Sequence, residues 1–320
     1  MQIVIPDDCF RLFEDSEALA RLRALEDVHY YTDNAETEEL LRERLKDAEI
    51  ILTTRYQTDF KTTDLLDHIP HLKMISVMGT RPRMIDMDRA NERGIVVSTT
   101  PAASASSVAE HTMMLILALA KRMPLMFPAM KEGGWPQDLG VELAGKTLGL
   151  IGFGHIARLV CRMALGFGMR VNTCSPSMTP ERAKAEGAGA ASIEECLGAD
   201  VVSLHLHLPA DAAPFMTREK FAQMKETAFF INTARALYVD EDALLDALRN
   251  RSIAGAGLDV FEPFEPLPKD SIYRSLDNVI ITPHSAWITD GTYARFRDVP
   301  VANVEAYLKG APANVVKDNA

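Results

Sequence analysis

The residues whose types and spacing most directly suggest chemistry are Gly152-Phe153-Gly154-His155-Ile156-Ala157. Two glycines and a small residue at this spacing let a buried strand turn at once into a helix. Gly152 permits the tight turn, Gly154 lets backbone approach a phosphate with no Cβ in the way, and Ala157 leaves room for helix to pack on strand. The first amides of that helix, those of His155 and Ile156, then face an anion, which suits a dinucleotide pyrophosphate. The flanks agree with this reading. Lys146 to Ile151 is apolar enough for a central parallel strand, and Ile156, Leu159, Val160 and Met163 recur at helical spacing up to Gly166. A second strand over Met169 to Cys174 completes a βαβ unit.

Such a unit needs a larger scaffold, and the chain has the material for one. Its 320 residues, 47% of them hydrophobic, are enough for two cores. A net charge of -11 and a pI near 5.3 argue against nucleic acid or an anionic membrane as partner, since both demand clustered Lys and Arg. Met1-Gln2-Ile3-Val4-Ile5 enters a strand directly, without a basic and apolar leader, and the longest apolar run, Met113 to Ala120, is far too short to cross a bilayer. A cytoplasmic location is the expectation. Cys9, Cys161, Cys174 and Cys196 are scattered without CxxC pairing, so reduced thiols are expected, with neither a disulfide framework nor a metal site.

The order of elements points to two α/β domains with parallel sheets, both Rossmann-like, one inserted into the other. Short β-rich runs at Gln2 to Ile5, Val28 to Tyr31, Glu49 to Leu52, Lys73 to Val77 and Ile95 to Val97 alternate with amphipathic segments such as Glu36 to Lys46. A long helix, Ala105 to Arg122, follows. The Pro/Gly-rich segment after it (Pro124, Pro128, Gly133, Gly134, Pro136) predicts a break in regular structure. The glycine-turn domain continues with strands at Asp200 to Leu204, Ala228 to Ile231, Ile253 to Asp259 and Asn278 to Ile281, and a helix at Asp240 to Arg249. The last helical segment, Gly291 to Lys309, has no strand after it to extend this second sheet, so it is expected to return to the first domain. The glycine-turn domain then covers residues 101–284, and residues 1–100 with 285–320 form the domain it interrupts.

Beyond the glycine turn, the chain carries Val108-Ala109-Glu110-His111, Ile231-Asn232-Thr233-Ala234-Arg235 followed by Val239-Asp240-Glu241, Gly257-Leu258-Asp259-Val260-Phe261, and Thr282-Pro283-His284. With these motifs it resembles, over essentially its whole length, the D-isomer-specific 2-hydroxy acid dehydrogenases. The resemblance implies hydride transfer between NAD or NADP and a small 2-oxo or 2-hydroxy acid, a nucleotide-binding domain inserted into a substrate-binding domain, and a homodimer. The helix Ala105 to Arg122 looks like the family's dimer-forming element, although an ordinary buried core helix has the same composition. A nucleotide-sensing binding protein, like the corepressors that share this fold, is the reading from another class.

In the family an Arg, a Glu and a His carry catalysis, and the resemblance places them at Arg235, Glu265 and His284. The residue types suit the task. A guanidinium can grip a 2-oxo acid by its carboxylate and carbonyl oxygen together, and an imidazole can return or accept the alcohol proton near neutral pH. The Glu has two candidates. The family's usual offset from the Asp lands on Phe264, with Glu262-Pro263 before it and Glu265-Pro266 after it. Glu265 is favoured because Glu265-Pro266-Leu267-Pro268 keeps the downstream pattern and a loop absorbs one residue. Its role would be to fix the tautomer of His284 and favour imidazolium.

The resemblance also gives Thr233, Ala234 and Asp259 to the cofactor, Asp259 at the nicotinamide carboxamide. His111, His205 and His207 are read as structural. At the ribose edge, where an acid selects NAD, the chain has Ser175; no Arg follows directly, and Arg182 is equally an ordinary helix residue, so the choice between NAD and NADP stays open. The carboxylate-binding loop becomes Met78-Gly79-Thr80-Arg81-Pro82-Arg83, where Met78, Gly79 and Arg81 are candidate substrate contacts, joined by Arg55.

Overall fold

The structure is a computed structural model that describes residues 1–54, 57–207, 213–261 and 263–316. The chain divides into two compact units, Met1–Ala103 with Thr289–Ala320, and Ser104–Ile288. The first is built from β1 (Gln2–Ile5), α1 (Glu17–Leu25), β2 (Asp27–Tyr30), α2 (Glu38–Leu45), β3 (Ile50–Thr54), β4 (Met74–Met78), α3 (Met87–Glu92) and β5 (Val96–Ser98). Among the described residues these strands form a five-stranded parallel sheet in the order β2-β1-β3-β4-β5. Every residue of β3 and β4 is buried, as expected of strands covered on both faces. The helix at the C-terminal end of the chain, Asp290–Leu308, belongs to this unit: the Pro300 carbonyl accepts from Ser76 Oγ at 3.1 Å, and Asn303 Nδ2 donates to the Thr99 carbonyl at 2.9 Å.

The second unit runs α4 (Ala105–Ala120), α5 (Met123–Lys131), β6 (Thr147–Ile151), α6 (His155–Gly166), β7 (Arg170–Cys174), α7 (Pro180–Ala185), β8 (Gly189–Ala190), α8 (Ile193–Leu197), β9 (Val201–Leu204), α9 (Arg218–Phe221), β10 (Phe229–Asn232), α10 (Glu241–Arg249), β11 (Gly255–Leu258) and β12 (Val279–Ile281). Its described strands form a seven-stranded parallel sheet in the order β12-β11-β10-β9-β6-β7-β8. The order reverses direction at β6, the switch point at which open α/β sheets hold ligands. One apolar cluster joins α4 and α6 to one face of this sheet through Ile116, Leu119, Leu148, Val160 and Ile231. A second packs α10 on the other face through Phe230, Leu244, Leu248 and Leu258.

One expectation fails here. The Pro/Gly-rich segment is not irregular throughout, because Met123–Lys131 forms α5. Pro124 falls in the first turn, where its missing N–H has no partner to lose and its fixed φ already suits a helix, and the helix tolerates Pro128 further in. Irregular backbone begins only after Gly133 (φ +85°).

Candidate active site

The register of the sheet sets the site. Asn232 of β10 lies beside Leu258 of β11, which lies beside Ile281 of β12, so the segments leaving these strands start level at one carboxyl edge. These segments carry Arg235, Glu265 and His284. On the other side of the switch point, Ile151 pairs with both Cys174 and Leu204, which sets Gly152, Ser175 and His205 level with one another.

At the glycine turn, Gly152 has φ +94°, and a Cβ there would lie 2.4 Å from the His205 carbonyl oxygen, so only glycine fits. A Cβ on Gly154 would meet nothing within 4 Å. Gly154 is the N-cap of α6 and supplies no side-chain cap, which leaves the first-turn amides at His155 and Ile156 turned to open space. With a buried Ser175 Oγ that has no hydrogen-bond partner among the described residues, this edge fits an adenine dinucleotide: anion donors at the turn and an unused polar group at the ribose position.

After β10 the chain folds back on itself. Asn232 Nδ2 donates to the Arg235 carbonyl at 2.8 Å while its Oδ1 accepts from the Ala234 amide at 3.0 Å, so one side chain sets the loop. Thr233 Oγ1 lies 3.0 Å from Thr112 Oγ1, whose own proton goes to the Val108 carbonyl, tying the loop to α4. Arg235 is half-buried and its Nη1 donates to the Ala234 carbonyl at 2.6 Å.

His284 adopts φ +50°, a left-handed conformation rare for a side chain of this size. Asp259 holds it there. The Asp259 carboxylate is 1% exposed and accepts from the Ser285 amide, the Ala286 amide and Thr282 Oγ1 at 3.0, 3.0 and 2.5 Å. Thr282 spends its proton on Asp259, so the 2.9 Å contact with His111 Nε2 is a bond donated by His111. Burial lowers the pKa of His111 against the opposing pull of Asp259. Burial likewise brings His205 down to about 4, so His205 is neutral at physiological pH; it lies 3.0 Å from Ser203 Oγ.

His284 Nδ1 is 2.7 Å from Glu265 Oε2, and Glu265 Oε1 accepts from the Phe261 amide at 2.9 Å. The second bond fixes the carboxylate within its own loop. Partial burial opposes ionisation of Glu265. The bonds from His284 and Phe261, with the nearby charges of His284 and Arg235, outweigh it and hold the carboxyl below its ordinary value. The structure thus brings together Arg235, Glu265 and His284, while Glu262 lies outside the described residues. In the first unit, Met78 and Gly79 are buried at the end of β4, and the Gly79 amide is spent on the Val77 carbonyl at 2.9 Å; Arg81 is exposed, and Arg55 lies outside the described residues. The sequence reading missed the clamp of Thr282, Ser285 and Ala286 on Asp259. Its signal was Thr282 itself, read only as a flank of His284.

Comparison with known proteins agrees with this geometry. Residues 113–286 match the model of the D-isomer specific 2-hydroxyacid dehydrogenase, NAD binding domain. The chain belongs to that family. It is an NAD(P)-dependent oxidoreductase of the 2-hydroxy acid and 2-oxo acid pair. A hydroxypyruvate reductase of Thermotoga maritima is 38% identical over 92% of this chain and 95% of its own length. A D-3-phosphoglycerate dehydrogenase of Methanocaldococcus jannaschii is 38% identical over 88% of this chain, but the match spans only 54% of that longer protein. An acyclic imino acid reductase in complex with NADPH and D-Arg superposes with a TM-score of 0.81 at 28% identity, covering 99% of this chain and 100% of that one.

Proposed function

We propose that this enzyme interconverts a small 2-oxo acid and its D-2-hydroxy acid, with Arg235 and His284 as catalytic residues and Glu265 as the residue that positions His284. The observation that carries the reading is the 2.7 Å Glu265–His284 pair, with Arg235 close enough for its charge to act on Glu265. When bound, the nicotinamide supplies or takes up the hydride. Glu265 accepts from Nδ1–H, which leaves Nε2 of His284, unbonded to any described residue, to give a proton to the carbonyl oxygen in reduction and remove it in oxidation. Arg235 offers a planar fork to the carboxylate and carbonyl oxygen, fixing the substrate and polarising the bond to be reduced. Gly152, Gly154, His155, Ile156, Thr233 and Ala234 line the cofactor edge. Met78, Gly79 and Arg81 are the candidates for the substrate carboxylate.

A panel of glyoxylate, hydroxypyruvate and its phosphate ester, pyruvate and a bulkier 2-oxo acid, each with NADH and NADPH, tests the reading. Turnover of at least one is expected. Intact nucleotide binding without turnover of any would favour a nucleotide sensor instead.

We further propose a homodimer. Met123, Phe127 and Met130 of α5 are 38%, 56% and 48% exposed, and α5 buries none of its residues. Together with Met114 of α4 (41% exposed) and Phe167 (45%), this is more apolar surface than a solvated helix needs. The buried, unpaired thiols of Cys161, Cys174 and Cys196 support a reducing, cytoplasmic setting.

A further inference from the structure

The adenosine ribose of a dinucleotide lies between the glycine turn and the carboxyl end of the next strand, and the group found there decides between a 2′-hydroxyl and a 2′-phosphate. Here that group is Ser175, immediately after β7. Its Oγ is buried with no hydrogen-bond partner among the described residues. The Ser175 carbonyl accepts from the Met178 amide at 3.0 Å, closing a turn that swings Ser177 round and leads into α7. From α7, Arg182 reaches back across this turn. Its Nη1 donates to the Ser177 carbonyl at 3.0 Å and to Ser177 Oγ at 2.6 Å, and its Nη2 donates to the carbonyl of Phe153, inside the glycine turn, at 3.4 Å. The guanidinium therefore bridges the two turns that flank the ribose position. It forms no ion pair with a described residue; Glu186, the acid that follows α7, is engaged by Arg158 and Arg162.

We propose that Ser175, Ser177 and Arg182 form a binding site for the 2′-phosphate of NADP(H), which makes this chain an NADPH-preferring reductase. The inference rests on the dinucleotide-dependent function proposed above and adds its cofactor choice. An acid at position 175 would accept the ribose hydroxyls and repel a phosphate; a serine hydroxyl donates to one. Arg182 retains its Nε–H and one Nη2–H, and a phosphate dianion is the ligand that uses such a pair. Its bonds to Ser177 and Phe153 hold the guanidinium in place beforehand, which lowers the ordering cost of binding.

Calorimetric titration with 2′,5′-ADP and with 5′-AMP reads this site without any chemistry, and titration with NADPH and NADH reads it in the whole cofactor. The parent should bind the 2′-phosphorylated member of each pair at least about tenfold more tightly, and Arg182→Gln should weaken those two by about 10- to 100-fold while leaving 5′-AMP and NADH within about twofold. Ser175→Asp should reverse the preference. Equal affinity within each pair, or an equal loss for both members in Arg182→Gln, would overturn the assignment. A parent that binds NADH more tightly and reduces 2-oxo acids with it refutes this site and leaves the proposed function standing. A parent that binds none of the four nucleotides refutes both.

Discussion

Replacing Glu265 by Gln preserves its shape and removes one charge, so the effect on the proton carried by His284 can be worked from the structure. Oε2 lies 2.7 Å from Nδ1, and the two side chains are 30% and 32% exposed. With charge centres about 4 Å apart and an effective dielectric constant near 20, the attraction is about 4 kcal/mol. Solvent screening of a pair this exposed reduces its net worth to about 1–2 kcal/mol. Since about 1.4 kcal/mol is a factor of ten, kcat/KM for reduction should fall about 5- to 30-fold at neutral pH and above. Above its lowered pKa Glu265 carries this charge in the parent, and below it the carboxyl is protonated and neutral like the amide, so the difference between parent and variant should shrink toward acid pH. In the parent, Glu265 is held below its ordinary value and stays ionised across this window. The assay is kcat/KM against pH in both directions for the parent, Glu265→Gln and Glu262→Gln, the last expected to be parental. A loss of the same size at every pH in both directions, as from a purely structural residue, would refute the reasoning.

His284→Ala should lower kcat/KM by about 10²–10⁴ while dinucleotide affinity, read by calorimetry, stays parental; an active variant would exclude His284 as the acid. Arg235→Lys keeps the charge but loses the planar fork, so steady-state kinetics should show KM for the 2-oxo acid rising and kcat/KM falling by about a hundredfold; an unchanged KM would remove Arg235 from the substrate. Gly152→Ala places a Cβ 2.4 Å from the His205 carbonyl at a φ of +94°, and should lower unfolding stability by about 2–4 kcal/mol in a urea titration. A parental midpoint would mean that the turn has another conformation. Asp259→Asn should lower both the melting temperature and kcat while leaving the pH profile in place, because Asp259 acts on His284 through backbone position; a displaced profile would mean that it acts through charge.

The strands were legible because parallel sheets covered on both faces write themselves as apolar runs, as in Ile50–Thr54 and Met74–Met78, all buried. Gly189–Ala190 was not legible: two exposed residues carry no pattern, and only pairing with Asn172 and Thr173 makes them a strand. The catalytic candidates were legible through motifs, but the choice between Glu265 and Glu262 turned on counting residues in a loop, where one insertion shifts every offset. Glu265 is held by a bond within that loop, from the Phe261 amide to Oε1, which no spacing rule contains. Arg182 shows the same limit from the other side. It stands seven positions after Ser175, and whether it serves the ribose edge depends on the turn from Ser175 to Met178, which folds the chain back toward Phe153.

Asp259 shows how the sheet edge sets the backbone of His284. The sequence offers it as a candidate cofactor contact, and in the structure its carboxylate accepts from two successive amides and a threonine hydroxyl just beyond β12. All three donors follow β12, which ends level with the strand that leads into Asp259, so the carboxylate meets them because Leu258 and Ile281 are paired. The bonds fix the peptides on the C-terminal side of His284, and with them a φ of +50° that the imidazole would not hold unaided. The ring is then directed to Glu265, which sits at the end of a loop that leaves the same strand as Asp259. Two carboxylates from one connection thus divide the work, the buried one holding the histidine backbone and the half-exposed one its ring. A buried carboxylate with three donors cannot be replaced by a shape mimic without stranding an amide, so the backbone position of His284 is set by the fold of the sheet.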